Sequence, residues 1–277
     1  MDRLAGRAIA LAALLTLWGP AAAAQQLPTG REIAQRINAR DEGVTARRHV
    51  TMELVDRSGY TRTRETVLFR RYAKGADGSA GEKWIALFYL GPPTIKDTAF
   101  LTHDYLESKR EDEQWLYLPA LRRTRRIGLR DRGKSFLGTD LSFDDVRNET
   151  KVTISDYTWK TLGTSEVDGH PCLTVEATPV DAETARLLGY SRVEFAVDRE
   201  IWIVRKAEYE DLGGRHLKTS HQRDIRQIDG IWTPHAVTVT NHRTGHSTRF
   251  AYSEIAYGVS LPDDLFTERA LRRGPPE

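Results

Sequence analysis

The spacing of apolar positions changes once, near the start of the chain, and the change separates a helix from a long run of strands. Thr29 and Glu32 stand at the S/T-x-x-E spacing of a capping box, which satisfies two otherwise orphaned N–H groups at a helix start. Ile33 and Ile37 follow one turn apart with Ala34 beside them, so a short helix with one apolar stripe is expected, ending near Asp41 to Gly43. Beyond it the period is two. Val50, Met52 and Leu54 alternate with polar residues, Ser58-Gly59 punctuates, and Val67 and Phe69 alternate again, which predicts a hairpin with one buried face. A loop from Gly75 to Gly81 then leads into the apolar strand Trp84 to Leu90, ended by Gly91-Pro92-Pro93. Phe100 to Tyr105 and Trp115 to Leu118 are further strands, separated by the charged stretch Lys109 to Glu113.

The second half is more regular. Asp168-Gly169, Asp198-Arg199-Glu200, Gly213-Gly214 and Asp229-Gly230 fall between runs rich in Val, Ile, Thr, Trp and Tyr, the spacing of an antiparallel meander. Val180 to Leu188 interrupts it with a helix capped by Asp181. Helices do not alternate with strands, which argues against a parallel βαβ fold. Some helices are present, but too few for a separate layer. The fold class expected is therefore mainly β with a few helices: a strongly curved, half-open antiparallel sheet that encloses an apolar cavity. Residues 25–277 form one domain in this reading, a size that all-β domains commonly reach.

Composition adds the compartment. Arg3 and Arg7 precede an apolar run from Ala8 to Leu17, and Ala22 and Ala24 offer small residues to a signal peptidase, so cleavage is expected after Ala24 with export to the periplasm. The apolar run is too short to span a bilayer, which takes roughly 20 residues. The chain of 277 residues carries 41 Lys+Arg against 39 Asp+Glu, a balance that gives no bulk reason for nucleic-acid binding. Cys172 is the only cysteine, so no intramolecular disulfide forms, and it reads as a buried, unreactive thiol.

Several motifs invite chemistry and fail on context. Gly128 to Ser135 reads G-L-R-D-R-G-K-S, the letters of a phosphate-binding loop, but arginines precede it in place of an apolar strand and no helix start follows, so no nucleotide is expected. His242 and His246 flank a turn at Gly245, with His216 and His221 nearby. Both rings of the pair are expected to face solvent, and no metal is assigned. The carboxylate clusters Glu111-Asp112-Glu113 and Asp144-Asp145 read as solvated loops, without the apolar pocket that would raise a catalytic pKa. There is no G-x-S-x-G elbow, so the protein is expected to be non-enzymatic and free of cofactors. Arg122, Arg123, Arg125 and Arg126 form either an edge that discourages strand pairing or a docking patch for anionic headgroups or an acidic partner. Ordinary packing accounts for most of the aromatics Trp84, Phe88, Phe100, Trp115, Tyr117, Phe136, Phe143, Phe195 and Trp202. In a half-open sheet, some of them would line the cavity.

Taken together, Trp115-Leu116-Tyr117-Leu118-Pro119-Ala120-Leu121-Arg122-Arg123, Ser135-Phe136-Leu137-Gly138-Thr139-Asp140 and Phe143-Asp144-Asp145 resemble the outer-membrane lipoprotein-sorting (LolA-like) proteins of bacteria. Phe100-Leu101-Thr102, Asp229-Gly230-Ile231-Trp232-Thr233-Pro234 and Leu261-Pro262-Asp263-Asp264-Leu265-Phe266 fit the same pattern. The resemblance spans most of the chain after Ala24, and the chain looks more like a divergent branch of the family than like its well-studied lipoprotein chaperone. It implies a helical lid over an apolar cavity and a periplasmic carrier of lipid or of lipoprotein acyl chains. It also implies an inner-membrane lipid transporter and an outer-membrane acceptor as partners. The alternative from a different class is an envelope sensor or adaptor that uses the same fold to bind a membrane partner.

Overall fold

The computed structural model describes residues 26–73, 81–106 and 110–276. The expected signal segment, residues 75–80 of the expected loop, and Lys109 lie outside them. Helix α1 (Gly30–Ala39) starts on the capping box anticipated at Thr29, whose hydroxyl accepts from the Glu32 N–H while the Glu32 carboxylate accepts from the Thr29 N–H. Six strands follow: β1 (Thr45–Val55), β2 (Thr61–Ala73), β3 (Glu82–Gly91), β4 (Ala99–Tyr105), β5 (Glu113–Leu118) and β6 (Arg123–Arg126). An irregular stretch carries α2 (Phe143–Asn148), and β7 (Tyr157–Val167) and β8 (His170–Pro179) lead to α3 (Ala182–Leu188). Asp181 caps α3 as expected, accepting from the Thr184 N–H at 2.7 Å. Strands β9 (Arg192–Asp198), β10 (Val204–Glu210), β11 (His216–Ile228), β12 (Ile231–Asn241) and β13 (His246–Tyr257) complete the sheet, and α4 (Glu268–Arg273) lies near the C-terminus.

All neighbouring strands are antiparallel, in the order β6-β5-β4-β3-β2-β1-β13-β12-β11-β10-β9-β8-β7. Each strand pairs with its neighbour in sequence, and β1 against β13 joins the two meanders. The sheet is not closed. Its two free edges, β6 and β7, are consecutive in the chain, so residues 127–156 must travel from one edge to the other. They do so across the inner face, and this crossing creates the site described below.

The pleat sends alternate residues to opposite faces. On the inner face Val50, Met52, Leu54, Leu68, Ile85, Leu87, Phe100 and Leu116 form one core with Phe136 and Phe143 of the crossing segment. A second inner core joins Ile33 and Ile37 of α1 to Leu173, Val175 and Phe195. Gly30 lets α1 lie close to β7, because a Cβ there would sit 2.6 Å from the Lys160 nitrogen. Val67 and Phe69 do not share a face with Val50 and Met52, as the hairpin reading expected. They pack on the outer face with Phe88, Leu101, Leu265, Phe266 and Leu271. Strand β2 is therefore buried on both sides, because the chain returns after β13 and lays residues 261–273 over the outer face. The Arg71 guanidinium donates to the Leu261 carbonyl at 2.6 Å, and Trp84 and His103 receive Phe266. Cys172 is fully buried. No helix among the described residues is long and apolar enough to cross a membrane.

Phe266→Ala should lower unfolding stability by about 3–5 kcal/mol, the usual range for emptying a buried phenylalanine site, and should shift Trp84 fluorescence. Denaturant titration measures the first effect. A loss below about 1 kcal/mol would mean that the C-terminal segment does not cover this face in solution.

Candidate functional site

Residues 127–156 have little regular structure but two distinct sides. Ile127, Phe136 and Phe143 are buried, and the Phe136 ring meets Phe100 at 5.0 Å and Phe143 at 5.3 Å between centroids. Helix α2 starts on a second capping box: Ser142 accepts from the Asp145 N–H at 3.0 Å and the Asp145 carboxylate accepts from the Ser142 N–H at 2.6 Å. Among the described residues, every backbone–backbone hydrogen bond of residues 128–155 stays within the segment, and only Ile127 and Asp156 join it by backbone to its neighbours. The segment lies on the sheet without being woven into it.

Its hold on the sheet is electrostatic as well as apolar. Glu149 pairs with Arg48 of β1 and lies 3.3 Å from Arg70 of β2. Asp145 reaches Lys218 of β11 at 2.5 Å and accepts from the Tyr190 hydroxyl at 3.0 Å. Asp140 accepts from Thr248 at 2.7 Å and meets His246 Nδ1 of β13 at 2.6 Å. Arg147, only 4% exposed, binds Asp144 at 2.9 Å, Asp112 at 2.6 Å and Asp104 of β4 at 3.2 Å. Lys83 of β3 has no exposed surface; its ammonium lies 3.2 Å from Asp104 and donates to the Asn148 carbonyl at 3.1 Å. Glu42, ahead of β1, extends the cluster through Arg40, Arg70, Tyr72 and Thr150.

Burial opposes the charge on Glu42, yet Arg70, Arg40 and Lys151 outweigh it and hold the carboxyl far below its ordinary value. Glu149 is depressed in the same way, with Arg48 and Arg70 overcoming its burial. Burial likewise opposes the charge on Asp104, but Lys83 and Arg147 keep it low. Asp112 goes the other way, raised by burial and by the nearby Asp104.

These positions correct two expectations. The Asp144-Asp145 cluster and Asp112 are not solvated loops; they are counter-ions for buried cations, and a buried charge needs such a partner. His246 does not face solvent but turns inward to Asp140, whereas His242 stays at the surface and stacks on His216 with centroids 4.2 Å apart. The phosphate-loop letters form a single 3₁₀ turn at Leu129–Asp131, and Lys134 closes on Asp131 at 2.6 Å.

Beneath the segment, between the two inner cores, lies a cavity of about 160 Å³. Val50, Met52, Leu87, Ala207, Val237 and Phe250 line it from the sheet, Leu141 and Val146 from the segment, and Arg48, Asp145 and Glu149 bring charge to its wall. Of the aromatics singled out in the sequence, Phe136 and Phe195 line it, while Phe100 and Phe143 meet Phe136 edge to face without lining it. Trp84, Phe88, Trp115 and Tyr117 belong to the outer-face core instead. Trp202 sits at positive φ in the turn between β9 and β10, under the Arg36 guanidinium. Sequence reasoning missed Arg48, Arg70, Lys83, Arg147 and Glu149. The available signal was Ser142-x-x-Asp145, a capping box inside a stretch read as loop. The arginine run forms the turn at Arg122 and the edge strand β6, where Arg125 pairs with Asp131 and Arg126 with Glu113, both at 3.1 Å.

A half-open sheet with a segment of independent backbone hydrogen bonding laid over an apolar cavity fits a lipid- or lipoprotein-binding carrier fold. Comparison with solved structures agrees. A protein assigned as an outer membrane lipoprotein-sorting domain from Vibrio parahaemolyticus is 29% identical, with TM-score 0.78 over 88% of this chain and 98% of that one. A DUF1329 family protein from Desulfovibrio piger is 28% identical, with TM-score 0.79 over 87% and 97%. A LolA superfamily protein from Nitrosomonas europaea shares the fold at 19% identity and TM-score 0.65, covering 88% and 100%. The profile of a family described as "uncharacterized protein" matches residues 81–273, and no curated protein matches the chain. This chain belongs to the family whose profile matches residues 81–273, and its structural neighbours are outer-membrane lipoprotein-sorting and LolA superfamily proteins.

The depressed carboxyls give the ion pairs between the crossing segment and the sheet a pH dependence of definite sign. Glu42 and Glu149 have folded values below the ordinary 4.5, so their contribution is complete above that pH and is lost as pH falls toward the folded values. Thermal unfolding should therefore give a falling Tm below about pH 4.5, and a smaller fall in Glu149→Gln. An acid profile identical in the variant would mean that the Glu149 ion pairs do not contribute to stability.

Proposed function

We propose that this protein is a non-enzymatic periplasmic carrier that shelters the acyl chains of lipids or lipoproteins during transfer to the outer membrane. It receives them from an inner-membrane lipid transporter. The observation that carries this reading is the apolar cavity under a segment whose backbone is independent of the sheet. Each buried CH₂ is worth about 0.8 kcal/mol, so an acyl chain needs such shelter to cross water. A dry cavity of roughly 150 Å³ accommodates benzene, and a long acyl chain is several times larger. The present structure is thus the closed form, and loading requires residues 127–156 to move. Because their backbone bonds are internal, they can do so without breaking the sheet.

Mature protein isolated without detergent should carry a stoichiometric lipid or acylated peptide, seen by native mass spectrometry and released on denaturation. Val237→Phe, which fills the cavity, should weaken uptake of a fluorescent fatty acid about tenfold or more. An empty protein that takes up no offered lipid would favour the adaptor reading.

Arg122 and Arg123 are exposed beside Leu121, which is 68% exposed, and neither has an ion pair among the described residues. In this proposal they are the part of the arginine run that meets an anionic surface at the donor or acceptor. Reversing both to Glu should weaken co-sedimentation with phosphatidylglycerol vesicles at low salt by about tenfold while leaving lipid uptake in place. Unchanged sedimentation would withdraw this role.

A further inference from the structure

Two cations of the inner face draw their charged partner from the crossing segment alone. Among the described residues Arg48 is ion-paired only with Glu149, and Lys218 only with Asp145. These two acids lie about one helical turn apart and reach opposite walls of the cavity, to β1 and β11. Arg70 shares Glu149 with Arg48 but also keeps Glu42, and Lys83 keeps Asp104 of the sheet wherever the segment goes. Departure of the segment therefore leaves Arg48 and Lys218 without a counter-ion and Arg70 with one fewer, in a largely apolar surrounding. Water can solvate these cations while the face is open, but once a lipid chain fills the space and excludes water an uncompensated buried charge is strongly unfavourable, so the loaded form needs an anion where the carboxylates were.

The arginines also hold unused donors. The Nε–H groups of Arg48 and Arg70 are buried and have no acceptor, while Arg48 Nη2 serves Glu149, Arg70 Nη1 is shared between Glu149 and Glu42, and Arg70 Nη2 donates to the Glu42 carbonyl. Arg48 and Arg70 project from adjacent strands to the same face, Arg48 opposite Leu68 and Arg70 opposite Ala46. The two guanidinium groups converge on one carboxylate. Guanidinium forks match carboxylate and phosphate oxygens in paired hydrogen bonds, and a phosphate brings more acceptor oxygens than Glu149 supplies.

We propose that the cargo is an anionic amphiphile whose phosphate or carboxylate head replaces Glu149 on Arg48 and Arg70 while its chain fills the space the segment leaves. Glu149 is then a built-in substitute for the head of the ligand, and Asp145 plays the same part on Lys218 at the far wall. The inference rests on the carrier reading and narrows it. A neutral acyl chain would satisfy the cavity but not the cations.

The test compares amphiphiles with matched chains on the full mature protein: palmitate, phosphatidylglycerol, zwitterionic phosphatidylcholine and uncharged diacylglycerol, each by native mass spectrometry and by displacement of a fluorescent fatty acid. The anionic ligands should bind about tenfold or more tighter than the others, and the order of palmitate and phosphatidylglycerol tells carboxylate from phosphate. Arg48→Gln alone leaves the buried Glu149 with Arg70 as its remaining ion-pair partner among the described residues and weakens the hold of the segment. The double variant Arg48→Gln/Glu149→Gln, which keeps a neutral hydrogen-bonding pair, should fold, bind diacylglycerol as before and show a preference for anionic ligands reduced several-fold, since Arg70 remains. Equal affinity of the unaltered protein for charged and uncharged ligands, or a preference undiminished in the double variant, overturns the proposal and leaves the carrier reading standing. Displacement of the probe by inorganic phosphate alone would assign the cations to a soluble anion and also overturn it. Failure to take up any of the four lipids overturns the carrier reading, and the proposal with it.

Discussion

Arg147 and the acids around it set the condition on which the rest of the structure depends. A guanidinium that is almost completely buried lies among Asp144, Asp104 and Asp112, in a place where none of these groups would be tolerated alone. Two of the partners come from the sheet side and one from α2, so the charges can neutralise each other only when residues 127–156 lie across the inner face. Glu149 with Arg48 and Asp145 with Lys218 repeat the arrangement to either side. Such pairs add little net stability compared with an apolar core, yet they penalise every other placement of the segment. Position is what they supply.

The topology explains why this segment and no other became the cover. Sequential pairing carries the chain outward from β1 to β6, and the second meander returns from β7 to β13 and back to β1. The single long connection must cross the opening. The free edges it leaves are blunted in different ways. Strand β6 is four residues long and rich in arginine, whereas β7 carries a register shift between Thr161 and Gly163. Both features discourage pairing with another chain. The outer face, which an isolated meander would leave wet, is covered over β2 to β5 by residues 261–273, and this converts half the sheet from one buried face to two.

Local signals were read correctly where the physics is local. The Thr29 capping box, the Asp181 cap, the glycine-marked turns and the period-two strands each depend on neighbours within a few residues, and each stands where the sequence placed it. The aromatics went differently. Phe136 and Phe195 line the cavity, but Trp115 and Tyr117 point away from it, one residue out of phase with Leu116 on the same strand. Alternation shows that Trp115 and Leu116 lie on opposite faces. It does not show which face is inner when both are apolar. Asp144-Asp145 failed for a related reason: a polar stretch is ordinarily solvated, and only its meeting with distant cations makes burial possible.

The sequence by itself therefore determined the class of fold, the antiparallel run of most strands and the family resemblance, because those follow from short-range periodicity, turn chemistry and characteristic segments. Tertiary structure alone decided which face of the sheet is the inside, that residues 127–156 lie across it, and that Arg48, Arg70, Lys83, Arg147 and Lys218 are buried with their partners. Long-range ion pairing leaves no periodic trace in a chain. Glu149 and Arg48 are 101 positions apart, and a lysine destined for burial is written with the same letter as one destined for water.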